Sequence, residues 1–452
     1  MSLSGISPSD PVPSTRRELI FAAGPSSGVA SDRPVLLWGN KTATGSQTLD
    51  VFDPTDPVTD DQNAQDRFGL RSELYLEYRK YSAIDSGATI YAIAVSPSAG
   101  VASSVPITVT NVSTANTVAE ITVLGQKVEA TIETGFTVEQ SANAIAAAIN
   151  AADGGRLPVT ATVGVGPGFL IAVAAANLGP SGDHIIGATA TRGVRVLMVG
   201  TNVQTVAKTV GTFVTGTITV DATAAIASAA LQEAYYHVMP WHTVGDGAAV
   251  NRGDKYVIAA TDNQIGEWEE MIDAQALPIN GKEQVGFLGL VDTQANRTVV
   301  ATAINNPRVY FFSAENSDWT PGMIAAHCGA LVRRAMIAHP GENMDSVEVQ
   351  VPRPYVAGDK PTATEIRADL NNGVSPLNWL ASGQGQIVRF VTSRSKNSGG
   401  SQDYRARDGH ITSVVDFFWN LAKQRWESQK QPFLAHELAE GAHELGCIWI
   451  AR

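Results

Sequence analysis

Apolar and polar positions near the start of the chain follow the pattern of buried strands around a helix. Residues 33–39 and 88–95 contain short apolar runs, which are typical of strands buried in a parallel sheet. A helix is predicted between them, over residues 62–81. Strand, helix and strand in this order predict a βαβ unit, with the helix packed over two parallel strands.

From about residue 96 the pattern changes to alternating apolar and polar residues with few aromatic side chains. Half-buried strands are predicted at 107–109, 121–123, 128–132, 158–163 and 169–173. Gly125-Gln126 predicts a hairpin turn between two of them. Thr137 and Gln140 have the spacing of a capping box, and Asp153-Gly154-Gly155 predicts the end of the helix that they open. We interpret this small α+β module as an inserted domain.

Beyond residue 224 longer helices again alternate with strands. Strands are predicted at 236–241, 255–260, 285–291 and 308–313. Helices are predicted at 226–235, 267–276, 321–338 and 411–422. The helix at 321–338 has the strongest signals, because Thr320 offers a capping hydroxyl and Pro321 suits the first helical position.

These patterns together predict a multidomain protein of α/β and α+β class. Residues 1–18 are rich in Ser and Pro without a buried period, so they predict an extended N-terminal arm. Residues 19–95 and 224–452 predict one discontinuous α/β core. Residues 96–223 predict a β-rich α+β domain inserted into that core.

Composition narrows the range of functions. The chain has 452 residues, of which 44% are hydrophobic, so it can bury a large core. Its formal charge of -12 argues against direct nucleic-acid binding, which needs clustered Lys and Arg, and favours solubility before assembly. Two cysteines give no disulfide framework, and no stretch approaches the ~20 apolar residues that a membrane span requires. We expect a protein made in the cytoplasm.

Candidate metal and phosphate motifs do not have the spacing that their chemistry needs. His436 and His443 lie seven positions apart on a predicted helix, which at ~1.5 Å per residue separates them by roughly 10 Å, too far for one zinc ion. The segment Gly39-Asn40-Lys41-Thr42 resembles a phosphate loop but lacks the upstream glycine, and the glycines of 164–168 lead into a strand. We interpret both glycine-containing segments as turns.

Candidate nucleophiles are equally weak. Cys328 and His327 are adjacent on a predicted helix, where neighbours do not face each other, so Cys328 is interpreted as a small core residue. Arg252-Gly253-Asp254 is interpreted as a solvated turn. No serine lies in a nucleophile-elbow motif. The sequence therefore predicts no catalytic residue, no cofactor and no metal ligand, and we do not expect an enzyme.

Several segments, taken in order and spacing, resemble the core of contractile-tail sheath proteins of Mu-like bacteriophages. They include Ala301-Thr302-Ala303-Ile304-Asn305-Asn306-Pro307-Arg308-Val309, and the segments at 35–45, 68–74, 362–377, 385–393 and 403–408. Residues 106–176 resemble the inserted module of the same proteins. The resemblance implies a structural protein of the virion tail, assembled in the cytoplasm of the bacterial host. A surface or shell protein, and an enzyme with an unfamiliar site, are the alternatives.

The resemblance also implies partners and contacts. Six subunits would form each ring, and the rings would stack helically around a tail tube protein, bounded by baseplate and tail terminator proteins. No direct contact with nucleic acid and no membrane insertion are expected. Terminal arms would add strands to a neighbour's sheet, with Leu19, Ile20 and Phe21 as the strand of the N-terminal arm. Charged residues are either exposed faces or inter-subunit ion pairs at Arg333, Arg334, Arg405, Arg407 and Asp408.

Overall fold

The structure is a computed structural model of the chain. It describes residues 34–42, 57–95, 102–109, 111–164, 169–187, 193–198, 206–208, 234–239, 272, 274–275, 284–291, 293–304, 306, 308–315, 317–338, 346–352, 360–380, 385–388, 390–391, 417–420 and 425–428.

The described elements form a mixed α/β protein with several sheets. The strands are β1 (Val35–Asn40), β2 (Ile90–Val95), β3 (Ala102–Val109), β4 (Thr117–Val123), β5 (Gln126–Ile132), β6 (Val159–Val163), β7 (Leu170–Leu178), β8 (Arg195–Met198), β9 (Val206–Lys208), β10 (Tyr236–Met239), β11 (Val285–Leu290), β12 (Val309–Ser313), β13 (Glu348–Val349), β14 (Val374–Trp379), β15 (Gly385–Ile387), β16 (Phe417–Asn420) and β17 (Arg425–Ser428). The helices are α1 (Asp61–Phe68), α2 (Glu73–Ser82), α3 (Val138–Ala151), α4 (Gly179–Ile186), α5 (Gln294–Ile304), α6 (Pro321–Ala338) and α7 (Ala363–Asn371).

The largest sheet takes strands from both ends of the described chain. Its order is β13-β15-β14-β12-β11-β10-β1-β2, and the six strands from β14 to β2 are parallel. The predicted βαβ unit is confirmed, since β1 and β2 pair in parallel from Val35 opposite Ile90 to Asn40 opposite Val95. The fully buried sequence of β1 explains why apolar residues run on without alternation there. The division into arm, core and inserted domain stays a prediction.

Residues 102–208 form two smaller antiparallel sheets, ordered β6-β7-β3-β9 and β5-β4-β8. The predicted hairpin is confirmed between β4 and β5, and its turn residues Leu124 and Gly125 have φ angles of 51° and 74°. Positive φ at both positions matches the right-handed twist of the strands. The capping box of Thr137 and Gln140 is also confirmed at the start of α3. These segments are called the β-rich segment below.

The single helix predicted over 62–81 is wrong, because the chain breaks it into α1 and α2. Gly69 follows α1 with a φ angle of 86°, which glycine adopts without steric cost. The Ser72 hydroxyl then accepts a hydrogen bond from the Tyr75 amide at 3.0 Å and caps α2. A glycine and a capping serine three positions apart are the sequence signal of this break.

The helix predicted over 411–422 is wrong where the structure describes it. Phe417–Asn420 forms β16, which pairs antiparallel with β17 and sets Trp419 opposite Trp426. Aromatic residue types are enriched in strands, so the composition of this segment also suits a strand. The predicted elements at 19–23, 255–260 and 403–408 lie outside the described residues, as do most of those at 226–235 and 267–276.

Helices cover the large sheet in two pairs. α2 and α6 pack on each other and on β1, β10 and β11, whereas α5 and α7 pack on each other and on β14. The two pairs contact opposite faces of β12. Phe312 belongs to the apolar cluster that includes α6, and the next residue, Ser313, donates a hydrogen bond to Asp369 of α7. The predicted start of α6 is confirmed by the hydrogen bond from the Met323 amide to the Thr320 hydroxyl at 3.2 Å.

Candidate functional site

Buried and part-buried polar contacts join the β-rich segment to the large sheet, and we call this set the polar seam. It consists of Arg71, Arg79, Asp153, Asn177, His184, Arg195 and Asp318, with the backbone groups that they contact. Most protein hydrogen bonds are between backbone groups, so a concentration of long-range side-chain contacts marks a place where separate parts of the chain are fixed together.

Asn177, at the end of β7, completes the first turn of α2. Its Oδ1 accepts a hydrogen bond from the Glu73 amide at 3.0 Å, and its Nδ2 donates to the Arg71 carbonyl at 3.0 Å. The first amides of a helix have no partner within the helix, so Asn177 satisfies one of them from another sheet. Asn177 is almost fully buried, and its two contacts therefore fix the start of α2 to β7.

The turn after α3 contacts α2 a second time. Arg71 Nε donates to the Gly155 carbonyl at 2.7 Å, and Arg79 pairs with Asp153 at 2.6 Å. Asp153 and Gly155 can accept these bonds because the chain passes through positive φ there, with 51° at Asp153 and 80° at Gly155. The turn Asp153-Gly154-Gly155, predicted as the end of a helix, therefore also contacts Arg71 and Arg79 at α2.

Arg195 and Asp318 form the most deeply buried ion pair of the seam. Arg195 Nη1 and Nη2 donate to the two carboxylate oxygens of Asp318, each at 2.6 Å, and the Gly193 amide donates to Oδ1 at 3.0 Å. The two side chains are 6% and 3% exposed. Bidentate geometry with an added backbone donor is what allows a buried pair to offset its desolvation.

Next to this pair, α4 and α6 meet around Trp319. His184 Nε2 lies 2.8 Å from the Trp319 carbonyl oxygen, and the Trp319 ring packs edge-on against His327 at 5.5 Å. The Gln350 amide donates to His327 Nε2 at 3.0 Å. Burial, with a smaller effect from the charge of Lys80, lowers the pKa of His327 to about 4, so this histidine is neutral.

A second buried charge cluster fixes α5 to α7 beneath the other face of the sheet. Arg297 donates to Asp369 through Nε at 3.2 Å and Nη2 at 2.9 Å, and to Glu315 through Nη1 at 2.9 Å. Ser313 of β12 donates to the same Asp369 at 3.1 Å. The arginine and Asp369 are each 1% exposed, so helix, helix and strand share one satisfied network.

The predicted subunit contacts divide into those described and those outside the described residues. Arg333 is buried and pairs with Asp85 within the same subunit, so we do not carry it forward as an inter-subunit contact. Arg334 is exposed, with Nη1 at 3.4 Å from the Ile84 carbonyl oxygen, and its contact with another subunit stays a prediction. The remaining predicted contacts lie outside the described residues: Leu19, Ile20, Phe21, Arg405, Arg407 and Asp408.

The motifs that were considered as catalytic or ligand-binding sites make structural contacts wherever the structure describes them. Asn40, at the end of β1, donates a hydrogen bond through Nδ2 to the Glu73 carboxylate at 2.9 Å. Cys328 is fully buried, which raises the pKa of its thiol, while the neighbouring His327 turns to Gln350. His436, His443 and 252–254 lie outside the described residues. Within the described ranges no group of three or more His, Cys, Asp or Glu could hold a metal ion.

Sequence reasoning singled out Asp153 only as part of a helix stop and missed the other residues of the polar seam. Asn177 ends an apolar strand, and Asp318 lies just before a capping motif, so neither belongs to a recognisable pattern. Their partners lie more than a hundred positions away in sequence, and only the fold brings them together. No helix in the described part of the chain is long and apolar enough to cross a membrane.

The sequence matches no protein-family model and no curated protein sequence. In structure, the chain is similar to the sheath tail protein of Listeria innocua, at 10% identity and a TM-score of 0.37, covering 84% of this chain and 74% of that one. It is also similar to the sheath tail protein of Desulfitobacterium hafniense, at 11% identity and a TM-score of 0.40, covering 88% of this chain and 80% of that one. Identities and scores this low leave the function to be argued from the chain's own residues.

Proposed function

We propose that this chain is the subunit of a contractile tail sheath. Six subunits form a ring, rings stack around a tail tube protein between a baseplate and a tail terminator, and contraction drives the tube through the envelope of the target cell. The protein belongs to the virion tail and is assembled in the cytoplasm of the bacterial host. It performs mechanical work through contacts with copies of itself and catalyses no reaction.

The observation that carries this proposal is where the sheath-like segments lie in the fold. The segments at 362–377 and 385–393 supply α7, most of β14 and all of β15, and the segment at 301–309 runs from the end of α5 to the first residue of β12, the strand next to β14 in the large sheet. The segment at 35–45 supplies β1 of the same sheet, and 68–74 leads into α2, which packs on β1. Segments far apart in sequence thus belong to one folded unit, as a resemblance of the whole core requires.

Linkage between subunits by strand addition is the second part of the proposal. Among the described strands, β2 pairs only with β1. On the other side of β2, the Ile90 carbonyl accepts a hydrogen bond from the Val58 amide at 2.7 Å, and Ala92 and Ala94 on that side are 1% and 0% exposed. An arm from a neighbouring subunit therefore needs a different, exposed edge. An extended arm gains its affinity from backbone hydrogen bonds to such an edge. We propose that the arm of a neighbouring subunit, with Leu19, Ile20 and Phe21, adds a strand to such an exposed edge.

The polar seam supports contraction by rigid subunits. Arg195 and Asp318, and Asn177 with α2, fix the β-rich segment to the large sheet through buried contacts. Packed interfaces of this kind change between discrete arrangements and do not deform gradually. The arms therefore act as hinges, while each subunit keeps its internal contacts. Energy is stored in the lattice of the extended sheath, without nucleotide hydrolysis.

Shortening or mutating the N-terminal arm tests the proposal. A chain lacking residues 1–23 is expected to keep the circular dichroism and unfolding midpoint of the full chain but to sediment as a monomer. Leu19→Asp with Phe21→Asp should have the same effect, because charged side chains oppose burial in the neighbour's sheet. The matched control, Ser7→Asp with Ser9→Asp, adds the same charge outside the strand and should still polymerise. Normal polymers from the shortened chain would refute the proposed linkage.

A further inference from the structure

Glu77 of α2 is a buried carboxyl group to which the described residues offer no hydrogen-bond partner. Its side chain is 0% exposed, and neither Oε1 nor Oε2 makes a hydrogen bond within the described part of the chain. Other buried carboxylates on the same elements are paired, as Asp318 is with Arg195 and Glu73 with Asn40. A buried charge without a partner is strongly disfavoured, so Glu77 is an exception that needs a physical account.

Two glycines make room for the Glu77 carboxyl group. A methyl group on Gly39 of β1 would stand 3.2 Å from both carboxyl oxygens, and one on Gly322, in the first turn of α6, would stand 1.8 Å from Oε1. Neither glycine is among the residues with positive φ, so backbone conformation does not explain them. The space they leave is filled by Glu77, which makes the site a specific recess between α2, β1 and α6.

The groups around this recess favour the uncharged acid. Burial, and then the charge of Glu73, raise the pKa of Glu77 well above its ordinary value of 4.5. Gly39 and Asn40 from β1 and Gly322 from α6 do not titrate. Charged groups nearby on the packed elements have other contacts: Asp318 pairs with Arg195, Arg333 with Asp85, Arg79 with Asp153, and Lys80 lies over the Trp319 ring. His327 of α6 accepts its bond from Gln350, and Lys41 follows β1.

We propose that Glu77 is a proton-operated catch: the carboxylic acid is folded uncharged between α2 and α6, and loss of its proton to water or hydroxide separates the two helices. α2 also holds the β-rich segment through Asn177 and Asp153, so its release loosens the place where three parts of the chain meet. The proposal concerns the folded subunit and holds whether or not the chain forms a sheath.

The direction of the pH effect follows from the raised pKa. Below pH 4.5 Glu77 is protonated in both the folded and the unfolded chain, and its full contribution to stability is present. As pH rises, the unfolded chain releases the proton first, and stability falls until the folded group ionises as well. Glu77→Gln has no proton to lose, so it should remove this part of the loss.

Infrared spectroscopy of the full chain tests the proposal directly. At neutral pH the wild type should show the carbonyl stretch of a protonated carboxylic acid, and the band should be missing in Glu77→Gln. As pH rises, the band should fade together with faster amide hydrogen exchange in α2 and α6, after correction for the intrinsic pH dependence. The control Glu133→Gln changes an exposed glutamate and should keep both the band and its titration.

Two results would overturn the proposal. A neutral-pH spectrum without a band that depends on Glu77 would show that the group is ionised in the folded chain. Titration of the band without faster exchange in α2 and α6 would show that the proton does not hold the helices together. If Glu77→Gln does not fold, Glu77→Met provides the same spectroscopic comparison with an apolar side chain of similar length.

Discussion

Asp318 and Glu77 are two buried acidic residues whose surroundings differ: Asp318 is paired with Arg195, whereas Glu77 has no hydrogen-bond donor among the described residues. Asp318 receives two guanidinium hydrogen bonds and a backbone amide, so its charge is compensated within the fold. Glu77 receives none from the described residues and is instead given space by two glycines. The comparison shows that the hydrogen-bond donors around a buried acid decide its role. With donors it stays ionised and links parts of the fold; without them its packing depends on its proton.

The largest expected effect comes from breaking the compensated site. Asp318→Ala leaves the Arg195 guanidinium buried without its carboxylate, which should cost roughly 3–5 kcal/mol in the free energy of unfolding. Urea unfolding followed by circular dichroism measures it. The double variant Arg195→Met with Asp318→Leu removes both charges and should recover much of the loss. If Asp318→Ala were as stable as the wild type, Asp318 would not compensate the buried charge of Arg195.

Acid should weaken the neighbouring α6 contact through His327. Its folded pKa of about 4 lies below the ordinary 6.5, so its contribution is full above pH 6.5 and is lost as pH falls toward 4. At about 1.4 kcal/mol per pKa unit, the difference amounts to roughly 3 kcal/mol. His327→Gln keeps an acceptor for the Gln350 amide but cannot charge, so its unfolding midpoint should depend less on pH between 7 and 4. Parallel pH profiles would contradict this account.

Filling the recess around Glu77 should have a smaller effect. Gly322→Ala places a methyl group 1.8 Å from Glu77 Oε1, and the overpacking should cost about 1–3 kcal/mol in the free energy of unfolding. Gly87→Ala is the matched control, because a methyl group there meets nothing within 4 Å. Adding Glu77→Ala to Gly322→Ala should relieve the clash. If Gly322→Ala were as stable as Gly87→Ala, the Glu77 side chain would not fill the space beside Gly322 in the wild type.

The smallest effect is expected at the surface of the β-rich segment. Lys127 lies 2.6 Å from Glu120 and 2.8 Å from Glu129, but its ammonium group is exposed to solvent and to screening salt. Lys127→Met should leave the urea midpoint unchanged within measurement error at physiological ionic strength. A shift as large as that of Asp318→Ala would remove the distinction between buried and exposed pairs.

Local patterns predicted the elements whose signals lie within a few residues. The apolar run of β1, the capping box of α3 and the Thr320-Pro321 start of α6 were all predicted correctly, because propensity and capping are local. The break between α1 and α2 was missed although its signals, Gly69 and the capping Ser72, are also local. At 417–420 the chain forms a strand pair despite the helical spacing of its apolar residues.

The sites could not be predicted in the same way. Asn177 finds its partners at the start of α2, and Asp318 finds Arg195, through packing between separate sheets. The recess of Glu77 needs Gly39 and Gly322, which come from β1 and α6 and are far apart in sequence. Nothing in the local sequence distinguishes these residues from other polar residues and glycines. What the sequence did carry was the order of the sheath-like segments, and through it the proposed function.

Electron microscopy of the purified full chain, after conditions that favour polymerisation, tests the central claim most directly. The account predicts hollow, cross-striated cylinders whose end views have six-fold symmetry, with each subunit keeping the same internal fold in long and short forms of the cylinder. Solitary compact particles under all such conditions, with a substrate or metal held in an enclosed cleft, would contradict it.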